Sequence, residues 1–369
     1  MVKSINLALQ GGGSHGAFTW GVLDRILEDE RLEIEAVSGA SAGAMNAVVL
    51  AEGLAHGDRR NARDTLARFW NGIADAAVSS PIRRSPVDQM MGSWSLDSSP
   101  SYLWFDLLSR VVSPYDLNPF DVNPLRDVLE KHVNFKAVCH CERVKVFVSA
   151  TNVETGRVKV FNQTELTSEH VLASACLPLL HKAIWIDETP YWDGGFTGNP
   201  PLWPLFDHSS ADDVIIVQIN PFTRPGAPRA ARDIVNRLNE ITFNTSLLQE
   251  LRAVDFVTRL MDAGRLDGTG YRRVLPHMIQ DEPFLSSLGA SSKMNAEKAF
   301  LTLLFDKGRN AADVWLRQHF DDLGARPSID IRKLFDGDEH ALDGARIERQ
   351  ARFQQEDGAA PEAGPPETT

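Results

Sequence analysis

The chain has 369 residues, of which 43% are hydrophobic, and its 50 acidic residues against 38 Lys and Arg give a formal net charge of −12. This apolar content excludes a fully disordered chain, and the acidic balance argues against a protein that binds nucleic acid by neutralising phosphates. The length suits one large α/β domain or two smaller ones.

Much of the negative charge lies at the end of the chain. Residues 336–369 contain nine acidic residues and three arginines, a net charge of −6 that is half of the total. This Pro-, Gly- and Ala-rich segment has almost nothing to bury. We therefore predict an acidic disordered tail over 336–369 without a specific partner.

Cysteine usage and apolar runs bear on the compartment. The three cysteines, Cys139, Cys141 and Cys176, are too few for a disulfide framework and indicate a reducing environment. Cys139, His140 and Cys141 are adjacent and lack the spacing of a zinc site, so we predict no metal. We find neither the apolar core of a signal peptide nor the ~18 apolar residues of a membrane span, and we expect a cytoplasmic protein.

Two strand–turn–helix units open the chain. Residues 4–9 have the pattern of a short buried strand that ends in three glycines, and apolar residues recur at helical spacing from residue 14. A second strand over 34–38 runs into a small-residue turn at 39–43, and a helix follows as far as Leu54. This alternation predicts an α/β fold with a mostly parallel central sheet.

Residues 90–120 combine large apolar side chains with Ser and Pro punctuation. Flexible and aromatic side chains suit a substrate wall or a lid that faces lipid. Packing of a helix near 102–112 onto the core explains them equally well. The substrate-wall candidates in this segment are Met90, Met91, Trp94, Trp104 and Phe105.

The later part of the chain is predicted from the same patterns. Further strands are expected over 144–150, 157–161 and 214–219, and mostly helical segments over 230–261 and 293–320.

Residues 39–43, Gly-Ala-Ser-Ala-Gly, form the Gly-x-Ser-x-Gly pattern of a nucleophile elbow. The pattern alone arises by chance in roughly one chain in eight, so its context decides. A β-branched strand precedes it and a helix-prone run follows. Ser41 is therefore expected at a helix N-terminus, where the helix dipole stabilises negative charge.

Residues 11–16, Gly-Gly-Gly-Ser-His-Gly, allow two interpretations. As Gly-x-Gly-x-x-Gly between strand and helix they match a dinucleotide fingerprint, with Glu33 or Glu35 as the ribose ligand. As an oxyanion hole, their backbone N–H groups would face a tetrahedral intermediate. The serine turn at the end of the next strand favours the oxyanion hole, because turns that end neighbouring parallel strands lie side by side.

A serine nucleophile needs a base, and the histidines offer none in a suitable loop. His277, His319 and His340 are late enough in the chain for the order of an α/β-hydrolase, but none lies in a tight turn rich in small residues. Asp193, followed by two glycines, is the stronger candidate, although a plain Asp-Gly turn explains it too. A carboxylate with an ordinary pKa near 3.9 must be partly desolvated to act as this base.

Taken in order, residues 11–16, residues 39–43 and Asp193-Gly194-Gly195 resemble the three motifs of the patatin-like phospholipase family, as found in bacterial-type serine acyl hydrolases. The resemblance covers about residues 4–220. It implies a patatin-type three-layer α/β/α fold around a mostly parallel sheet.

The resemblance also implies a chemistry. Ser41 would be the nucleophile and Asp193 the general base of a dyad that hydrolyses lipid acyl esters without a metal or other cofactor. The backbone amides of Gly11, Gly12 and Gly13 would form the oxyanion hole. The glycines that support the motifs are Gly16, Gly39, Gly43, Gly194 and Gly195.

The first motif departs from the family at His15, where Arg or Lys is usual and where histidine is only partly charged near neutral pH. Residues 174–178 are similar to a further family segment, and the resemblance implies that Pro178 lines the substrate pocket without taking part in the chemistry.

We accordingly divide the chain into a patatin-like catalytic core over 1–225, a helical C-terminal region over 226–335 packed on it, and the tail. The predicted function is a serine esterase that acts on lipid acyl esters and contacts membranes peripherally through apolar side chains. The alternatives are a nucleotide-binding oxidoreductase built on Gly11, Gly13 and Gly16, and a catalytically silent lipid-binding protein with the same fold.

Overall fold

The computed structural model describes residues 2–224 and 226–336. The chain divides into one compact unit over Met1–Ile329 and a second over Asp330–Thr369. In the second unit the described residues end with the helix Ile331–Asp336. Apart from Asp336, the predicted tail lies outside the described residues.

The described strands form one mostly parallel sheet. They are β1 (Lys3–Leu9), β2 (Leu32–Gly39), β3 (Lys145–Asn152), β4 (Val158–Asn162), β5 (Ile184–Ile186), β6 (Thr189–Asp193), β7 (Asp213–Val217) and β8 (Leu275–Ile279). Their order is β5-β6-β3-β2-β1-β7-β8, and β4 pairs with β3. The pairs among β3, β2, β1, β7 and β8 are parallel, whereas β4, β5 and β6 pair antiparallel.

In the first unit helices connect and cover these strands, and the second unit has one described helix. They are α1 (Gly16–Glu28), α2 (Ala42–His56), α3 (Arg59–Ala77), α4 (Pro86–Met90), α5 (Pro100–Val111), α6 (Pro114–Leu117), α7 (Pro124–His132), α8 (Phe135–Cys139), α9 (Ser168–Ser174), α10 (Trp203–His208), α11 (Ala231–Asp262), α12 (Glu282–Ser287), α13 (Lys298–His319) and, in the second unit, α14 (Ile331–Asp336).

The core lies on both faces of the sheet. Side chains 5–9 of β1 are all buried although successive residues of a strand point to opposite faces. Helix α1 packs against α3 and α13, while α2 packs against α3 and α8. A parallel sheet covered on both faces explains why residues 214–217 of β7 are continuously apolar rather than alternating.

The strands expected over 4–9, 34–38, 144–150, 157–161 and 214–219 are present, each within about two residues of the predicted bounds. The three strands that the sequence pattern missed are β5, β6 and β8. β6 and β8 contain Pro190 and Pro276, and proline within a run argues against a strand. The region 226–335 is therefore not purely helical, since β8 extends the sheet beside β7.

The register of the central strands places the functional turns together. Leu9 at the end of β1 lies beside Gly39 of β2 and Val217 of β7. Asp193 at the end of β6 pairs with Ala150 of β3. The glycine turn after β1 (residues 11–16) and the serine turn after β2 (residues 39–43) consequently lie at the same edge of the sheet.

Candidate active site

Ser41 occupies a strained turn between β2 and α2. Its φ of 52° and ψ of −121° are costly for a residue with a Cβ atom. The turn is held by the Ser41 N–H, which donates to Ser174 Oγ at 2.8 Å, and by the Gly43 N–H, which donates to Ala40 O at 2.8 Å. Ser41 is only 8% exposed and caps the N-terminus of α2, as the motif predicted.

The glycine turn fits around Ser41 because it lacks side chains. A Cβ atom on Gly11 would lie 2.7 Å from Ser41 Cβ. Gly13 has a φ of +58°, and a Cβ atom there would lie 2.4 Å from the carbonyl oxygen of Lys293. The supporting glycines are packed as closely, since an added Cβ would lie 3.0 Å or less from a neighbour at Gly16, Gly39, Gly43, Gly194 and Gly195.

The N–H groups of this turn are not equivalent. The Gly11 N–H, one of the three expected oxyanion donors, donates to Asn199 Oδ1 at 2.6 Å and is therefore occupied. Among the described residues the N–H groups of Gly12 and Gly13 have no hydrogen-bond partner. The same holds for the N–H of Ala42, which follows the serine at the start of α2 and which the sequence analysis did not consider.

Asp193 ends β6 and is 1% exposed. Its Oδ1 atom accepts a hydrogen bond from the Gly195 N–H at 2.7 Å, and its own N–H donates to Cys176 O at 2.8 Å. The Oδ2 atom is buried and has no partner of full hydrogen-bond geometry among the described residues.

Burial raises the pKa of Asp193 to about 7, and the Gly195 N–H, the Ser41 hydroxyl and the charge of Lys293 oppose that rise. The Ser41 hydroxyl thus interacts with the carboxylate, without yet reaching the geometry of a full hydrogen bond. Such contacts commonly tighten only when substrate binds. The desolvation that the sequence analysis required of Asp193 is present.

Residues 174–178 hold the backbones of both residues in place. Ser174 accepts the hydrogen bond from Ser41, and Cys176 O accepts the one from Asp193. Burial raises the pKa of Cys176 to about 12, which keeps its thiol neutral. Pro178 is half-buried at the end of the segment, and its place in a substrate pocket stays a prediction.

His15 does not bring positive charge to the glycine turn. Its Nε2 atom lies 2.8 Å from Ser292 Oγ, and because that hydroxyl donates to Gly289 O at 2.6 Å, Nε2 carries the proton. Burial, reinforced by Lys293 and Arg224, lowers the pKa of His15 to about 3. The partial charge expected at this position is therefore absent.

The segment 90–120 is tied to later parts of the chain by hydrogen bonds but is largely exposed. The Leu96 N–H donates to Ser291 Oγ at 3.0 Å, and the Ala183 N–H donates to Tyr115 OH at 3.3 Å. Met90, Met91 and Trp104 are 84%, 77% and 65% exposed.

The other two candidates of this segment are less exposed. Phe105 is half-buried. Trp94 stacks on Phe300 with ring centroids 5.2 Å apart. None of the described contacts joins the five candidates to Ser41 or Asp193.

Three polar residues of the site were missed. Gln10 Oε1 accepts hydrogen bonds from the N–H groups of Ile219 and Asn220, both at 3.0 Å. Asn220 Nδ2 donates to Gly11 O at 2.7 Å, and Lys293 Nζ donates to Asn220 Oδ1 at 2.7 Å. A polar residue directly after the predicted strand 214–219 could have drawn attention to Asn220, whereas no motif surrounds Lys293.

Residues 2–224 and 226–336 contain neither a group of metal-ligand side chains nor a membrane-spanning helix. In that part of the chain no three His, Cys, Asp or Glu side chains are grouped as metal ligands. No helix there combines the length and apolar character that crossing a bilayer requires.

A serine on a strained strand–helix turn, with an aspartate and a glycine turn at the same edge of a mostly parallel sheet, defines an α/β protein of the nucleophile-elbow type. The chain belongs to the patatin-like phospholipase family, whose sequence profile matches residues 7–206. At the level of its family it is an ester hydrolase that acts on lipids. Asn220 and Lys293 lie beyond the matched residues.

Among solved structures, the chain is similar to VipD and ExoU. VipD from Legionella pneumophila is 16% identical with a TM-score of 0.34, and the alignment covers 97% of this chain and 77% of VipD. The type III effector ExoU is 13% identical with a TM-score of 0.27, covering 96% of this chain and 63% of ExoU. Full-length ExoU of Pseudomonas aeruginosa, in complex with SpcU, is 13% identical with a TM-score of 0.28. That alignment covers 82% of this chain and 53% of the matched chain.

No curated protein sequence matches the chain. The family assignment therefore stands on the sequence profile.

Proposed function

We propose that the chain is a serine-dependent acyl-ester hydrolase of phospholipase A, lysophospholipase or esterase type, with Ser41 as nucleophile and Asp193 as general base. The observation that carries the proposal is the interaction of the Ser41 hydroxyl with a buried carboxylate whose pKa is raised to about 7. A base with this pKa accepts and returns a proton near neutral pH.

The reaction runs in two acyl transfers. Ser41 Oγ attacks the ester carbonyl carbon while its proton passes to Asp193, and Asp193 gives that proton to the alcohol oxygen as the ester C–O bond breaks. Water then attacks the acyl group on Ser41 and passes a proton to Asp193. Asp193 returns it to Ser41 Oγ as the carboxylic acid leaves.

The oxyanion of each tetrahedral intermediate needs N–H donors. We assign Gly12, Gly13 and Ala42 to this role, because these N–H groups have no other partner among the described residues. Ala42 also lies at the N-terminus of the 15-residue helix α2, where the dipole favours negative charge. Each such donor contributes about 10²- to 10³-fold in rate.

The exposed apolar segment 90–120 is the surface that we assign to lipid. Besides Met90, Met91 and Trp104 it exposes Leu107, 57%, and Phe120, 89%. Its hydrogen bonds to Ser291, two residues before Lys293, and to Ala183, which follows residues 174–178 closely in the chain, support a place at the rim of the site. The chain ahead of residue 336 keeps a net charge of only −6, which favours apolar over electrostatic engagement.

The alternatives receive less support. Glu35, a ribose ligand in the dinucleotide interpretation, instead accepts hydrogen bonds from Ser209 and Ser210. A silent lipid-binding protein would not need a buried carboxylate beside the strained serine.

Turnover of phospholipids, lysophospholipids and p-nitrophenyl esters of graded chain length by wild type and Ser41→Ala tests the proposal. We expect wild-type hydrolysis of at least one class and none by the variant. Equal rates for the two proteins would refute the proposal.

A further inference from the structure

The C-terminal region contributes a charged side chain to the site. Lys293 lies in a short 3₁₀ turn, Ala290–Met294, about 250 residues after Ser41 in the chain and outside the residues that match the family profile. Its backbone carbonyl is so close to Gly13 that a Cβ atom on Gly13 would lie 2.4 Å from it. The turn that carries Lys293 is therefore in van der Waals contact with the glycine turn.

The side chain of Lys293 reaches the same turn through Asn220. Lys293 Nζ donates to Asn220 Oδ1 at 2.7 Å, and Asn220 Nδ2 donates to Gly11 O at 2.7 Å. Fixing the Gly11 carbonyl also fixes the Gly12 N–H, because both belong to one planar peptide group and point in opposite directions. The chain of contacts from Lys293 thus ends on a proposed oxyanion donor.

Lys293 forms no ion pair with a carboxylate among the described residues. The nearby carboxylate Glu240, on α11, pairs with Arg224 at 2.8 Å and with Arg237 at 3.1 Å. The charged and titratable groups that face Lys293 are Glu240 on α11, Arg224 after β7, Asp193 on β6 and His15 before α1. A neutral donor could have held Asn220 without the desolvation cost of a partly buried cation.

We propose that Lys293 is a positioning residue of the hydrolase site: it holds Asn220 against the glycine turn and places a positive charge beside Asp193. The inference rests on the proposed function, since it assigns Lys293 a task in that reaction. His15 is neutral and Arg224 pairs with Glu240, whereas the positive charge of Lys293 acts on Asp193. The same charge stabilises the ionised form of Asp193, which is the form that accepts the serine proton.

Steady-state kinetics on p-nitrophenyl butyrate across pH tests this role, with Lys293→Met compared to wild type. Loss of the Asn220 contact is expected to lower kcat about tenfold or more with little change in KM, since a displaced oxyanion donor acts on the transition state. Loss of the charge is expected to move the acidic limb of the pH profile upward by about half a pH unit or more.

Controls separate this role from a general effect on folding. Lys298→Met, at an exposed position five residues further on, should match wild type in kcat and in pH profile. Thermal unfolding shows whether Lys293→Met is folded. If that variant is unfolded, Lys293→Gln, which keeps a shorter hydrogen-bond donor without the charge, is measured in its place.

Each outcome decides the proposal. An acidic limb at the wild-type position in a folded Lys293 variant would overturn it, and so would the failure of both variants to fold, which would assign Lys293 to stability alone. If Ser41→Ala retains hydrolysis, the proposed function itself fails. If Ser41→Ala is inactive while folded Lys293→Met behaves as wild type, only the inference on Lys293 fails.

Discussion

Gly11 and Ser41 approach each other so closely that a Cβ atom on Gly11 would lie 2.7 Å from Ser41 Cβ. The two residues belong to turns that end neighbouring parallel strands, β1 and β2. Ser41 and the N–H groups of the glycine turn are therefore neighbours because of the strand order, although about 30 residues separate them in the chain.

The first prediction concerns the space at the glycine turn. Gly13→Ala is expected to destabilise the protein by about 2 to 5 kcal/mol, because the new Cβ meets both an unfavourable φ and the Lys293 carbonyl. Gly156→Ala has a similar φ of +64° but open space around it, and should cost only about 1 to 2 kcal/mol. Denaturant unfolding of both variants measures the difference, and equal losses would show that the contact with Lys293 is unimportant.

The second prediction concerns the pH dependence of hydrolysis. Burial raises the pKa of Asp193 to about 7, and the protonated acid cannot accept the serine proton. Accordingly, kcat/KM should fall about tenfold per pH unit below that pKa and level off above it. A profile that is flat between about pH 5 and pH 8 would contradict the role of Asp193 as the base.

The third prediction uses the same group to test stability. A carboxyl whose folded-state pKa is raised favours the folded state at low pH and loses that contribution as pH rises toward about 7. Asp193→Asn should therefore gain stability relative to wild type as pH rises, by about 2 kcal/mol more at about pH 8 than at about pH 5. Thermal unfolding of both proteins at the two pH values checks this, and a difference that does not change with pH would mean that Asp193 titrates normally.

The fourth prediction concerns the lipid surface. Leu107 and Val111 lie one turn apart on α5 and are 57% and 77% exposed. Replacing either with Glu should weaken binding to phosphatidylcholine vesicles about tenfold, because a buried leucine contributes about 1.5 to 3 kcal/mol. Val314→Glu, at a partly exposed position on α13, is the matched control and should bind as wild type.

Salt provides an independent check on the same surface. Binding that depends on apolar contacts should change less than about threefold between about 50 and about 500 mM salt. A steep loss of binding with salt would indicate that basic side chains hold the protein on the membrane.

The sequence predicted the parts of the site that carry a local pattern. The structure places Ser41 and Asp193 in the turns that were predicted from their small neighbours, and their catalytic roles stay proposals. The strand β2 ahead of Ser41 was predicted because its apolar residues run into a turn of small residues. The occupied N–H of Gly11 could not be predicted, since its partner Asn199 is brought to it only by tertiary structure.

The place of Lys293 in the site and the strand β8 could not be predicted from the sequence. Lys293 comes from a short turn without a motif, and its task depends on contacts with Asn220 and Gly13. β8 contains Pro276, whose ring removes a backbone donor, so its pattern argued against a strand in the middle of a predicted helical region.

The most direct test of the central claim is the site at which a fluorophosphonate probe labels the protein. Mass spectrometry of the labelled and digested protein should find a single adduct on Ser41 in wild type and none in Ser41→Ala. Asp193→Asn should label much more slowly, since it lacks the base. An adduct on another residue, or undiminished labelling of a folded Ser41→Ala, would contradict the assignment of Ser41 as the nucleophile.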